Sequence, residues 1–113
     1  MTNSDKSIKK LIRAVGIIRS SIDENIPLTL VHTFLTVVEH PGEGVISLAQ
    51  RVGVNKSTMS RHLLDLSVSL RTGAPGYGVL SRTYDENDLR AIRYGLTPRG
   101  ELILSQLRDI MGD

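Results

Sequence analysis

The sequence predicts a mainly α-helical fold with one small β hairpin, and three observations support this prediction. The stretch from Leu48 to Leu66 reads as two short helices joined by a tight turn. Further along, two short runs that each fit a strand flank a polar turn, as in a hairpin. Both ends of the chain repeat apolar residues at three- and four-residue spacing, as amphipathic helices do. Because 113 residues suffice for one hydrophobic core, we predict a single domain spanning 1–113.

The first helix is predicted from about Ser4 to Ser21. Apolar residues form a heptad-like seam along it. The seam consists of Ile8, Leu11, Val15, Ile18 and Ile22.

A second helix is predicted to begin with Pro27 as its first residue, where the missing N–H of proline is not needed, and to run to about His40. Its predicted core-facing stripe is Leu28, Val31, Phe34, Leu35 and Val38. Phe34, the only phenylalanine, is the candidate for the centre of the core. The segment 41–44, Pro-Gly-Glu-Gly, ends this helix in a turn.

The central stretch has the pattern of a helix-turn-helix. Val45 and Ile46 are expected to form a very short strand before Ser47 opens the first helix of the pair. Gly53 suits the left-handed backbone at a helix C-terminus, and Asn55 suits the N-cap of the next helix. The second helix is predicted to continue to about Leu70. Met59, Leu63 and Leu66 are expected to face inward, and His62 is expected to be half-buried.

The outer face of this second helix indicates binding to nucleic acid. Residues 55–64 contain no Asp or Glu, whereas short hydroxyls and cations there can donate to phosphates and base edges. Arg61 is the leading candidate for reading a base, since its guanidinium matches the edge of guanine. The candidate contact residues on this helix are Asn55, Lys56, Ser57, Thr58, Ser60 and Arg61.

The hairpin follows a loop from Arg71 to Gly78. The first strand is predicted over 79–84, with Val79 and Leu80 entering the core, and the second over 89–96. A polar turn at 85–88 joins the two strands. A hairpin directly after such a helix is a wing, so the fold class is a winged helix-turn-helix. Thr97 as N-cap and Pro98 as first residue then open the last helix.

Composition and charge narrow the functional class. Residues 51–99 hold eight Lys and Arg against four Asp and Glu, an excess that attracts a polyanion. The absence of cysteine excludes a disulfide scaffold and a cysteine-based zinc site. His32 and His40 lack a second ligand at helical spacing, so we predict no metal and no cofactor. Ser60 and His62 diverge on a helix, which argues against an enzyme. The polar N-terminus predicts a cytoplasmic protein.

Two motifs in this order resemble the MarR-type winged helix-turn-helix regulators. One is the stretch 48–66, LAQRVGVNKSTMSRHLLDL, and the other is the stretch 88–100, DLRAIRYGLTPRG, which is similar to the wing signature of that family. The resemblance covers about residues 26–105. It implies a dimer that places the recognition helix in the major groove and Arg90 of the wing in the minor groove, with Asp88 bracing the wing. Arg82 and Arg93 are the further wing cations assigned to DNA binding.

The chain departs from the family in two places. Its 71–78 loop is longer than usual, and it has one helix after the wing where family members usually have two. The second departure argues against a small-molecule effector. The chain shares this shortness with regulators and segregation proteins encoded by phages and plasmids.

A homodimer is predicted because each terminal helix has more apolar surface than one core can cover. The predicted layout is a dimerisation helix at 1–25, a winged-helix core at 26–96 and a second dimerisation helix at 97–113. The C-terminal dimerisation residues are Ile103, Leu107 and Ile110, which join the N-terminal seam. A two-fold dimer would read an inverted repeat.

Three functions are compatible with these features. The first is a sequence-specific transcription regulator of the repressor type that binds double-stranded DNA. The second is a DNA-binding partition or replication adaptor of a plasmid or phage, and nothing in the sequence separates it from the first. The third is a winged helix used only for protein contact, against which the basic excess of residues 51–99 argues.

Overall fold

The computed structural model describes residues 3–68, 75–88 and 91–112, with the side chains of 3–5 excepted. Within these ranges the chain forms five helices and a two-stranded antiparallel sheet, in the predicted order. The elements are α1 (Asn3–Ser21), α2 (Leu28–Glu39), α3 (Val45–Val52), α4 (Lys56–Leu66), β1 (Leu80–Tyr84), β2 (Ile92–Leu96) and α5 (Pro98–Met111). Helices α2, α3 and α4 pack on one another, and α1 packs on α5.

Helix α2 lies at the centre of the core, with its buried face partly shifted from the predicted one. Phe34 is fully buried, as predicted, whereas Leu28 and Leu35 are exposed. The buried face consists of Leu30, Thr33, Phe34 and Val37. Val31 and Val38 of the predicted stripe are half-buried against the core, so the prediction was wrong only for Leu28 and Leu35. Helix α2 is apolar on two sides, and only the contact with α3 and α4 decides which side is fully buried. Pro27 precedes the helix as its N-cap and is not its first residue.

Helix α3 begins at Val45, so the expected strand at Val45 and Ile46 and the helix start at Ser47 are wrong. The amide of Leu48 already donates to the carbonyl of Gly44, at 3.1 Å, which closes the first helical turn. The preceding turn does touch the wing, through a 3.0 Å bond from the Gly42 amide to the Tyr94 carbonyl. Val45 and Ile46 thus form the first turn of α3 although β-branched residues favour a strand locally.

Helix α4 ends at Leu66, before the predicted end at Leu70. The hydroxyl of Ser67 donates to the carbonyl of Leu63 at 2.7 Å, and the amide of Ser67 donates to Leu64 at 3.1 Å. These bonds complete the last turn and leave Ser67 in an extended conformation. Residues 69 and 70, and 71–74 of the predicted loop, lie outside the described residues.

The wing is an antiparallel hairpin in which Leu80 pairs with Leu96 and Tyr84 with Ile92. Val79, Leu80 and Tyr94 are buried and attach the hairpin to the core. Val79 lies just before β1, and β2 begins at Ile92. Leu89 and Arg90, predicted in the second strand, lie outside the described residues.

Helices α1 and α5 run in opposite directions and form an arm, which we define as residues 6–21 and 98–112. Lys10 of α1 lies near Gly112 at the end of α5, and Arg99 at the start of α5 donates to the carbonyl of Ser21. Thr97 caps α5 by accepting from the Gly100 amide at 3.1 Å, and Pro98 is the first helical residue, as predicted.

The arm buries part of the predicted dimerisation surface inside the chain. Ile18, Ile103 and Leu107 are each at most 7% exposed because α1 and α5 pack on each other within the chain. Their predicted contact with a partner stays a prediction. Ile22 and Ile110 are half-buried. The exposed apolar residues of the arm are Ile8, Leu11, Ile12, Val15, Leu102 and Met111.

None of the helices in the described ranges combines the length and apolar character needed to cross a membrane. No three histidine or carboxylate side chains in those ranges are grouped so as to hold a metal ion.

Candidate nucleic-acid interface

The turn between α3 and α4 is fixed by backbone geometry. Gly53 has φ +87°, in the left-handed region that glycine adopts without strain, and its amide donates to the Ala49 carbonyl at 2.9 Å. The Asn55 side chain accepts from the Thr58 amide at 2.8 Å, which confirms the N-cap. It also accepts from the Ser57 hydroxyl at 2.9 Å. Both ends of the turn are therefore set by residues that are local in sequence.

A carboxylate holds the start of α3. Glu43 accepts two bonds from the Arg51 guanidinium, each 2.8 Å long, and one from the Ser47 hydroxyl at 2.9 Å. The Arg51 bonds are the main cause that lowers the pKa of Glu43 to about 2, against a smaller opposing effect of burial. Arg51 thus belongs to an internal ion pair and adds little to the positive surface.

The outer face of α4 presents polar donors to solvent. Lys56, Ser57, Ser60 and Arg61 are exposed, and Thr58 is half-buried. Met59, Leu63 and Leu66 are fully buried, as predicted. The one carboxylate of this helix, Asp65, is half-buried, so the exposed face is free of acidic side chains.

His62 is half-buried, as predicted. Its Nδ1 atom is buried and has no hydrogen-bond partner among the described residues. Ser60 is exposed, and because it lies two residues from His62 in the same helix, the two side chains point in nearly opposite directions.

A groove of about 900 Å³ separates α3 and α4 from the wing. Lys56 and Ser60 of α4 line one wall, and Arg82 and Arg93 of the hairpin line the other. The chain therefore brings four of the predicted DNA-binding residues, from three elements, to one opening. Arg61 is exposed and does not line this groove.

Asp85 and Arg93 form an ion pair that braces the wing hairpin. The Arg93 guanidinium donates to the Asp85 carboxylate from Nη2 at 3.1 Å and from Nε at 3.3 Å. The pKa of Asp85 is lowered, first by the amide of Asn87 and then by Arg93. Sequence reasoning missed Asp85. The available signal was the Asp-Glu-Asn turn, in which an aspartate accepts from the amide two residues later.

Of the two wing residues assigned by resemblance, Asp88 and Arg90, the structure describes only Asp88. Asp88 lines the groove, and its carbonyl accepts from the Ala91 amide at 2.9 Å. Arg90, assigned to the minor groove, lies outside the described residues.

Comparison with known proteins identifies the fold. No protein-family model matches the chain, and no curated protein matches it. Solved structures of MarR-family regulators do match. The DNA complex of Streptococcus pneumoniae FabT has a TM-score of 0.67 at 22% identity, over 97% of this chain and 71% of that one. A MarR transcriptional regulator from Methanosarcina mazei Go1 has a TM-score of 0.64 at 20% identity, over 96% and 70%.

A third neighbour was solved with a small molecule. PcaV from Streptomyces coelicolor, in complex with its natural ligand, has a TM-score of 0.59 at 21% identity, over 93% of this chain and 70% of that one. The TM-scores establish a shared fold, and identities of 20–22% show no more than that. The chain thus has the MarR-type winged-helix fold that its two sequence motifs predicted.

Proposed function

We propose that this chain is a cytoplasmic transcription regulator that binds double-stranded DNA as a homodimer and represses its target. The observation that carries the proposal is the groove in which Lys56 and Ser60 of α4 face Arg82 of the wing. A MarR-family neighbour of the same fold was solved in complex with DNA, which supports this use of the surface.

The electrostatics of the described surface favour a polyanion. Arg51 and Arg93 each form an ion pair with a carboxylate of the same chain, so they contribute less free positive charge to the surface. Lys56, Arg61 and Arg82 are exposed, and they lie on the two elements that a winged helix presents to DNA. Phosphate contacts by such side chains release counterions, so affinity should fall steeply as salt rises.

The proposed docking places α4 in the major groove, where Arg61 reads a base edge. Asn55, Ser57 and Thr58 lie in the first turn of α4, with Asn55 and Ser57 bonded to each other. This turn would approach the phosphate backbone. Arg82, and Arg90 by resemblance, would contact the minor groove from the wing.

The dimer is proposed from the exposed apolar side of the arm. Ile8, Leu11 and Val15 are 46–55% exposed, and Ile12 and Leu102 are also open. A second copy would cover this surface, and a two-fold axis would present two α4 helices to an inverted repeat. A bound dimer at a promoter would exclude other proteins from it, hence repression.

An effector is compatible with the fold. The PcaV neighbour was solved with its natural ligand. Binding of an effector as well as DNA is therefore compatible with the proposed regulator, and the short C-terminal region is no reason against it.

The test is selection of bound duplex fragments from the source genome by the purified chain. We expect enrichment of a discrete inverted repeat that overlaps a promoter. The matched control is the double variant Lys56→Ala, Arg61→Ala, which should recover no enriched site. Fragments indistinguishable from the input would contradict DNA recognition. Enrichment of a repeat array away from promoters would contradict promoter control and favour a partition role.

A further inference from the structure

Residues 75–79 form a strap along the C-terminal end of α4. Four of its amides donate to carbonyls of 65–68, at 2.9–3.0 Å: Gly76 to Val68, Tyr77 to Asp65, Gly78 to Ser67 and Val79 to Leu66. A Cβ atom on Gly76 would collide with the Ser67 carbonyl, so this close approach requires glycine. The strap is thereby attached to the recognition helix.

The same strap is bonded to the arm by side chains. The Tyr77 hydroxyl donates to the Asp23 carboxylate at 2.7 Å, just beyond the end of α1. The Arg99 guanidinium donates to the Tyr77 carbonyl at 2.7 Å and to the Ser21 carbonyl at 2.5 Å. Thr97 donates to the Gly78 carbonyl at 2.6 Å. One tyrosine and one arginine therefore join both helices of the arm to the strap.

The electrostatics of these contacts agree with their geometry. The pKa of Asp23 lies below its usual range, first because of the Asn25 amide and second because of Tyr77. The pKa of Tyr77 is raised, chiefly by its bond to Asp23. The hydroxyl is a donor held by an ionised carboxylate, which is among the stronger hydrogen bonds in proteins.

The strap connects the two parts whose relative orientation decides how a dimer fits DNA. The arm carries the proposed dimer surface, and α4 carries the proposed reading surface. Successive base pairs are about 3.4 Å apart, and the described chain is 53 Å long. A rotation of the arm about the strap would change the distance between the two α4 helices, and a change of one base-pair step would alter the half-site spacing that the dimer fits.

We propose that Tyr77 and Arg99 are positioning residues that fix the angle between α4 and the arm, and through it the half-site spacing that the dimer accepts. This inference rests on the proposed function. The angle between α4 and the arm affects only which half-site spacing the dimer prefers. Recognition of a single half-site depends on α4 and the wing.

The first experiment measures affinity for the selected repeat with its half-site spacing varied one base pair at a time. The parent should prefer one spacing sharply. Tyr77→Phe and Arg99→Met should lower the ratio of preferred to neighbouring spacing by about three- to ten-fold, the effect of losing about one net hydrogen bond. Affinity for an isolated half-site should stay unchanged. Arg108→Met, an exposed arginine of the same helix, is the control and should keep the parent ratio.

A second experiment tests the angle without DNA. The chain contains no cysteine, so spin labels can be placed at Arg13→Cys on the arm and Ser60→Cys on α4. Dilution with unlabelled chain restricts the measured distance to one subunit. The distance distribution should be narrow in the parent and in Arg108→Met, and broader in Tyr77→Phe and Arg99→Met.

Equal distributions in all four proteins, or unchanged spacing ratios, would overturn the positioning role while leaving DNA binding intact. A parent that binds no duplex would overturn the proposed function. The spin-label distances would still decide whether the strap holds the arm, because they need no DNA.

Discussion

Two cations of α4 are suited to different contacts with DNA. Arg61 is exposed on the outer face and carries a planar guanidinium, which can bond both acceptors of a guanine edge. Lys56 lies at the first position of the helix and lines the groove beside the wing, where a point charge meets phosphates. We therefore expect Arg61 to determine which base sequence is preferred, and Lys56 to contribute affinity for any sequence.

Arg61→Ala should therefore relax sequence preference at one position in each half-site, at a cost of about 1–3 kcal/mol. Lys56→Ala should weaken binding to all sequences about equally. The measurement is a titration of each variant against single-base variants of the selected repeat. Equal losses for both proteins across every base variant would show that Arg61 does not read a base.

The Glu43 carboxylate gives the fold an acid-sensitive contact. Its folded pKa is about 2, below the ordinary 4.5. A depressed carboxylate pKa stabilises the folded state fully above the ordinary value, and this contribution is lost as the pH falls towards the folded value. We expect the parent to lose stability between about pH 4.5 and 2, and Glu43→Gln to lose less in that window while being less stable at neutral pH.

The measurement for Glu43 is thermal unfolding across that pH range. Glu39→Gln is the control, because Glu39 is an exposed glutamate at the end of α2. A parent and a Glu43→Gln variant with parallel pH profiles would contradict the proposed linkage.

Single residues were predictable from sequence where their role is local. Gly53, Asn55 and Thr97 act within three or four residues of themselves, so their chemistry and position suffice. Glu43 and Asp85 were missed because each pairs with an arginine eight residues away, Arg51 in α3 and Arg93 in β2. Such an ion pair forms only if the fold brings the two side chains together, and residue types alone do not predict this.

At the scale of the element, the wing depends on the Asp85–Arg93 pair across the hairpin. Arg93 could brace the hairpin or contact DNA, and these two roles predict different results. If it braces the hairpin, Asp85→Asn and Arg93→Gln should both accelerate amide hydrogen exchange in β1 and β2, with α3 and α4 unchanged. If it contacts DNA, Asp85→Asn should release it and strengthen binding.

We expect the bracing result, because the guanidinium donates twice to the carboxylate. Hydrogen exchange of the free protein measures it, with Glu86→Gln as a control at the exposed turn. Stronger DNA binding by Asp85→Asn, with unchanged exchange in the hairpin, would contradict it.

The five helices and the two wing strands were predicted in their order, but two details depended on packing. The start of α3 was misplaced because Val45 and Ile46 favour a strand locally, while the helix begins with the Leu48 to Gly44 bond. The buried face of α2 was misassigned because Leu28 and Leu35 are as apolar as Leu30 and Val37. Only the positions of α3 and α4 distinguish the two faces.

At the scale of the whole molecule, the exposed apolar side of the arm predicts a dimer. Leu11 is 54% exposed, so Leu11→Glu should leave the chain folded and separate the subunits, with much weaker binding to the inverted repeat. Leu28→Glu is a matched control, because Leu28 is 81% exposed on α2. Leu107→Glu should unfold the chain, since it buries a charge between α1 and α5.

Sedimentation at micromolar concentration checks the subunit state of each variant. A monomeric parent, or a dimer that survives Leu11→Glu and fails with Leu28→Glu, would contradict this assignment. Sequence periodicity alone could not separate the two groups of apolar residues in the arm. Ile18, Ile103 and Leu107 share the spacing of Ile8 and Leu11 but face the neighbouring helix of the same chain.

We propose that two copies of this winged helix bind one inverted repeat. Hydroxyl-radical footprinting of the parent on its selected site tests it most directly. We expect protection symmetric about a two-fold axis, with half-site centres about 10 base pairs apart or a multiple of that. We also expect added protection of the flanking minor grooves by the wings. A single asymmetric footprint, or uniform protection equal to that on unrelated DNA, would contradict it.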